Sequence, residues 1–180
     1  SKNPKLHLEQ SILKASQILY FLGDIHIESL LDVACGAGGI TKILSKELSL
    51  RDVVGLDVSN AMIEVAKSSI TDSSIQWICA DVLDYTPNKR FDLVTCIDIV
   101  EHVEDDLRFL KKVATLGDLI LLKVPMEDSI LDNKILRRWG IRDPWKESEQ
   151  KYGHIHHYNE KQLLSLFERA NLHVIRLGYI

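Results

Sequence analysis

Six short runs rich in β-branched and apolar residues, at 30–34, 53–57, 75–79, 91–97, 119–124 and 173–179, alternate along this chain with amphipathic stretches of helix length. The helical stretches are 39–48, 61–68, 105–114 and 160–170. Short strands separated by helices need crossover connections, and crossovers produce a parallel sheet covered on both faces. The expected fold is therefore α/β: a doubly wound, Rossmann-like, mostly parallel sheet with helices on both faces.

At 180 residues the chain suits a single domain, 1–180, with enough core to fold without disulfides. An N-terminal helical segment, 1–24, contains a helix at 8–22 that ends at Gly23. Ser59 or Asn60 caps the helix at 61–68, and Asn159 with Gln162 forms a capping box ahead of Leu163. Residues 125–158 are too long for a plain connection and read as a lid over an acceptor site. The lid contains a helix at 129–139 and carries Lys134, Arg137, Arg138, Arg142 and Lys146 with Trp139 and Trp145, a mildly basic set. A net charge of -4 gives no broad surface for nucleic acid. No apolar run is long enough to span a bilayer, and no signal peptide opens the chain, so the expected location is cytoplasmic. Cys35, Cys79 and Cys96 have no paired spacing and read as buried, reduced thiols.

The first strand runs into Asp32-Val33-Ala34-Cys35-Gly36-Ala37-Gly38-Gly39, with a helix directly behind it. So tight a turn lets backbone N–H groups and the helix N-terminus approach a ligand. A dinucleotide fingerprint wants a third glycine at position 41, where Thr41 stands, and no Lys-Ser/Thr pair follows to make a phosphate-binding loop. Behind the turn comes a series of carboxylates. Asp57 closes the second strand, where it can accept from both hydroxyls of a ribose; Asp81 follows the third strand; Asp98 closes the fourth. In a doubly wound sheet the carboxyl ends of the strands line the ligand crevice, so these acids converge on one edge.

Residues 31–41, 53–67, 77–87 and 91–113 resemble the successive motifs of class I S-adenosylmethionine-dependent methyltransferases, especially the branch that contains the ubiquinone-pathway enzymes. The resemblance implies that Asp32, Ala34, Gly36 and Gly38 surround the methionine part of the cofactor. It implies that Asp57 holds the ribose, that Val58 and Met62 flank the adenine, and that Asp81 and the Val82 amide read the adenine edge. Ile97 and Asp98 would face the methionine end, near the sulfonium. The cofactor would be S-adenosyl-L-methionine, leaving as S-adenosyl-L-homocysteine, and the partner a small-molecule acceptor. Two alternatives stay open: a catalytically silent cofactor- or partner-binding domain of the same fold, and an NAD-dependent oxidoreductase. The family sheet carries a seventh, antiparallel strand. Here six strands are expected, with either a C-terminal segment missing or an edge left for the lid or another chain to cover, which would allow an oligomer.

Asp98, Glu101 and His102 fall at i, i+3 and i+4 and would share one helical face. Three readings stay open: Glu101 and His102 cap and pack the next helix; His102 is a general base for an acceptor hydroxyl; or the three hold a metal. Relatives with a Glu-x-x-Glu-His pattern bind a divalent ion, and the shorter arm of Asp98 leaves that ligation open. His157 or His154, from Gly153-His154-Ile155-His156-His157-Tyr158, can meet His102 across the crevice. An oxygen acceptor fits a histidine base best.

Overall fold

The structure, a computed structural model, describes residues 4–126 and 153–179, with side chains from Glu9 onward. Helix α1 (Pro4–Leu22) leads into β1 (Ser29–Val33), α2 (Gly39–Glu47), β2 (Asp52–Asp57), α3 (Asn60–Ser69) and β3 (Ile75–Cys79). Then follow β4 (Phe91–Ile97), a 3-10 turn (Val100–His102), α4 (Asp106–Ala114), β5 (Gly117–Lys123) and α5 (Glu160–Arg169). The strands form one parallel sheet in the order β3-β2-β1-β4-β5. Strand order therefore reverses between β1 and β4, and the carboxyl ends on either side of that switch point frame a crevice.

Alternation along each strand divides the core between the two faces of the sheet. Leu30, Val53 and Leu93 pack with Ala15, Ile18 and Leu22 of α1 and Leu44 of α2. Their neighbours Leu31, Val54 and Val94 face the other way, onto Phe109, Leu110 and Val113 of α4 and Leu166 and Phe167 of α5. Strands buried on both sides explain the near-continuous apolar runs in the sequence. The predicted caps are present: the Ser59 hydroxyl accepts from the Met62 amide, and Asn159 and Gln162 form a reciprocal capping box. Gly23 takes a left-handed φ of 58° just beyond α1.

Three expectations are corrected or left aside. Residues 173–179 form no strand: among the described residues the sheet has five strands, with β5 at its edge. The 173–179 segment lies against α1, where the Arg176 guanidinium donates to the Phe21 carbonyl and Gly178 packs on the Phe21 ring. Val174, Ile175, Leu177 and Tyr179 stay exposed there, because a strand without a ladder neighbour has no face to bury. A cavity of about 860 Å³ lies between this segment and β5, lined by Ile18, Leu121, Leu163 and Phe167 among others. Cys79 is exposed rather than buried, Cys35 is half-buried and only Cys96 is fully inside; all three are free thiols. Cys79 ends up outside because it closes β3, which lies at an edge of the sheet. The helix expected at 129–139 and the basic residues of the lid lie outside the described residues. No described helix is long and apolar enough to cross a membrane.

The turn after β1 is held from below by Trp77 on β3. A Cβ placed on Gly38 would stand 2.3 Å from the indole ring, and Gly38 has φ 77° as well. Gly38→Ala therefore combines overpacking with a left-handed penalty and is expected to lower the unfolding free energy by roughly 2–4 kcal/mol. Urea denaturation measures this; a loss under about 0.5 kcal/mol would contradict the packing.

Candidate active site

The crevice begins at the β1–α2 turn, whose backbone takes left-handed φ values at Ala34 (59°), Gly36 (56°) and Gly38 (77°). Position 36 differs from position 38 in what surrounds it. A Cβ added at Gly36 meets nothing within 4 Å, so its glycine meets the conformation and leaves open room at the turn. Ala34 keeps a left-handed backbone with a Cβ attached, a strain of about 1 kcal/mol.

Asp57, at the end of β2, fixes this turn to the start of α3. One carboxylate oxygen accepts from the Gly36 amide at 2.8 Å, and the other accepts from the Ser59 amide at 2.8 Å. Beside it Val58 is 69% exposed and Met62 is 42% exposed, two apolar side chains facing solvent at the rim. The Ala80 amide donates to the Asp57 carbonyl, which brings the β3 rim alongside. There the Asp81 carboxylate accepts from the Leu83 amide at 2.8 Å, and the Val82 side chain is buried beneath. Ile97 stands half-buried at the end of β4. The structure thus brings Gly36, Asp57, Val58, Met62 and Asp81 to one edge.

Asp32 sits deeper than the sequence suggested. It is 3% exposed, and its carboxylate accepts from the Thr41 hydroxyl at 2.5 Å and the Thr95 hydroxyl at 2.7 Å. Burial pushes its carboxyl up to about 6, against the pull of those two hydroxyls. Its role here is to hold the turn from inside. Thr41, which spoke against a dinucleotide in the sequence, is one of the two donors that make this possible.

Asp98, Glu101 and His102 do not share a helical face. Asp98 takes φ 53°, and the helical turn starts only at Val100, so the spacing that promised a common face is broken. The Asp98 carboxylate instead meets Lys14 of α1 at 2.6 Å and Lys123 of β5 at 2.7 Å. Burial works against its charge, yet the two lysines hold its carboxyl below the ordinary range. Neither lysine was singled out in the sequence, since a lone lysine on a helix or at a strand end carries no motif.

Glu101 is 1% exposed, and neither carboxylate oxygen has a hydrogen-bond partner among the described residues. Burial raises its carboxyl above the usual value. His102 lies beside it, with Nε2 3.8 Å from Glu101 Oε1. His102 Nδ1 is 3.1 Å from the Gly153 carbonyl. A carbonyl only accepts, so the proton of the neutral ring sits on Nδ1 and Nε2 presents a lone pair. The residue that meets this pair is His154, with ring centroids 5.0 Å apart. Ligand atoms of Glu101, His102 and His154 lie within 4.8 Å of one another; Asp98 and His157 are not part of that group. The segment is held in place by the Ile155 and His156 amides, which donate to the Glu101 carbonyl. The His156 ring donates to the Val103 carbonyl, and the Tyr158 hydroxyl donates to Asp106 at 2.8 Å.

A reversed strand order, a left-handed glycine turn and acids at successive strand ends define a Rossmann-like, doubly wound architecture with its ligand crevice at the switch point. A profile described as a methyltransferase domain matches residues 7–177, and the chain belongs to that family. A ubiquinone biosynthesis O-methyltransferase of Coxiella burnetii is 37% identical over 89 residues, 48% of this chain and 37% of that enzyme. A malonyl-(acyl-carrier protein) O-methyltransferase of Priestia megaterium is 30% identical over 66 residues, 37% of this chain and 24% of that one. The matched part is thus little more than a third of these relatives' length at most. Among solved structures, magnesium protoporphyrin IX methyltransferase of Synechocystis with bound S-adenosylhomocysteine superposes with a TM-score of 0.69 at 18% identity, covering 96% of this chain and 76% of that one. Phosphoethanolamine N-methyltransferase 2 of Haemonchus contortus, in complex with S-adenosyl-L-methionine, gives 0.69 at 19% identity, covering 88% and 36%.

The raised carboxyl of Asp32 makes a pH prediction. The folded state holds this proton up to about pH 6, while the unfolded chain releases it near 3.8. The resulting contribution is present below 3.8 and is lost as pH rises through 6. Moving from pH 7 to pH 4 should therefore shift the stability difference between wild type and Asp32→Asn by roughly 2–2.5 kcal/mol in favour of wild type. Parallel denaturation curves at several pH values measure it, and a difference that stays constant refutes the assignment.

Proposed function

We propose that this chain transfers a methyl group from S-adenosyl-L-methionine to a small-molecule acceptor, with an oxygen as the receiving atom. The observation that carries the reading is the crevice edge, where Gly36 leaves open space, Asp57 spans two backbone amides, and Val58 and Met62 stand exposed beside it. Exposed apolar side chains beside a carboxylate suit a nucleoside, with the ring against Val58 and Met62 and the ribose on Asp57. Ala34, Gly36, Val82, Ile97 and Asp81 complete the proposed cofactor wall, with Gly38 and Asp32 supporting it from below. When bound, the cofactor would supply a methyl on a sulfonium, and its remainder would be S-adenosyl-L-homocysteine. His102 takes the proton of the acceptor hydroxyl on Nε2, while its Nδ1–H stays on the Gly153 carbonyl and fixes the ring. Most of the acceleration then comes from holding the reactants in line and away from water.

Calorimetry with S-adenosyl-L-homocysteine tests the donor assignment. Wild type should bind, Asp57→Asn at least tenfold more weakly, and a wild type that does not bind would leave only a catalytically silent domain. His102→Asn should keep that affinity while lowering methyl transfer by roughly 10²–10⁴. Equal loss of binding and turnover would instead assign His102 a structural part.

One observation favours a second reading of the same residues. The unpartnered Glu101 carboxylate, with His102 and His154 beside it, fits a divalent ion that would act as a Lewis acid on the acceptor oxygen. Bound to a metal, His102 Nε2 has no lone pair left for the proton, so the two roles exclude each other. Dialysis against a chelator decides between them. Full activity afterwards supports the base, and loss restored by Mn²⁺ or Zn²⁺ supports the metal.

A further inference from the structure

Two ammonium groups share one carboxylate at the carboxyl end of the sheet. Lys14 meets Asp98 Oδ2 and Lys123 meets Oδ1, so each oxygen already has its lysine. Three elements contribute these side chains: α1, the end of β4 and the end of β5. They are 32%, 24% and 25% exposed, neither sealed in the core nor free in solvent. The Asp98 amide also donates to the Lys123 carbonyl at 2.9 Å, which pins the two backbones together. In the β4–β5 register Lys123 stands opposite Ile97, and it follows Leu119 and Leu121 on the α1 face.

Among the described residues the ion pairs of this cluster set two positive charges against one negative. Each ammonium carries three donors, and Asp98 takes one from each. An excess positive charge is costly in a partly buried site, where screening is weak. Glu101 lies close enough to Asp98 for the two charges to repel, yet among the described residues it pairs with neither lysine and sits with His102 and His154 instead.

We propose that Lys14 and Lys123 recognise an anionic group, a carboxylate or a phosphate, carried by the methyl acceptor. The proposal rests on the methyl-donor reading above. A monoanion brings the count of Lys14, Lys123 and Asp98 to zero and uses the donors that Asp98 leaves over. Lys14 and Lys123 then determine specificity and take no part in the proton transfer.

The test uses protein saturated with S-adenosyl-L-homocysteine, titrated with 3,4-dihydroxybenzoate, 3,4-dihydroxyphenylphosphonate and the uncharged 3,4-dihydroxybenzamide. At least one anion should bind roughly tenfold or more tightly than the amide, and the tighter of the two identifies the anion class. Lys123→Gln and Lys14→Gln should each erase the preference, Lys123→Arg should keep it, and affinity for S-adenosyl-L-homocysteine should stay within about twofold of wild type. Acid and amide binding alike, no binding of either, or a preference that survives both glutamine variants would overturn the proposal. A different result would reassign the anion. If the glutamine variants lose S-adenosyl-L-homocysteine but still bind 5′-methylthioadenosine, which lacks the amino-acid head, the lysines serve the cofactor's own carboxylate and the proposal fails. Wild type failing to bind S-adenosyl-L-homocysteine at all defeats the donor reading on which it stands.

Discussion

The buried carboxylate of Asp32 joins three elements through two short hydrogen bonds, one to Thr41 in α2 and one to Thr95 in β4. Its position on β1 places it at the centre of the sheet, on the side of the switch point where the crevice opens. A charge there is costly, and the hydroxyls recover only part of that cost, which is why its carboxyl stays raised. In return the start of α2 is fixed against the sheet, so the turn between them has no freedom to drift. The Gly36 amide can then meet Asp57, and Asp57 in turn meets Ser59. From one carboxylate inside to another at the rim, the crevice edge is a chain of hydrogen bonds anchored in the core.

Much of the fold was legible because its signals were local and repeated. Five of the six expected strands and all the expected helices within the described residues are present, with ends shifted by only a few residues, since buried parallel strands show as dense apolar runs. The sixth strand failed for a reason that local pattern cannot carry. Residues 173–179 alternate well enough to pair, but pairing needs a neighbouring ladder, and here the segment lies against Phe21 instead. Cys79 misled in a similar way, since an apolar run says little about which end of it emerges at the rim.

The site was legible where chemistry follows strand ends. Asp57 and Asp81 stand where a doubly wound sheet puts its ligand-facing acids. Asp98 occupies such an end too, but its left-handed backbone changed its neighbours, and helical spacing could not anticipate a residue with φ 53°. The lysines that hold it come from positions 84 residues upstream and 25 residues downstream (98 − 14 and 123 − 98), a distance over which no motif operates. His154 rather than His157 meets His102, a choice made by how the Ile155 and His156 amides dock on the Glu101 carbonyl.

The contact between Gly38 and Trp77 has a consequence for how the chain can change over time. The indole occupies the volume that any side chain at position 38 would need. Neither residue is therefore free to vary alone: enlarging 38 demands a smaller ring at 77, and shrinking 77 leaves a void under the turn. Substitutions at these two positions should be strongly non-additive, each one acceptable mainly in the presence of the other. A glycine that looks like part of a ligand motif is thus half of a packed pair, tied to a residue on a strand two places away in the sheet.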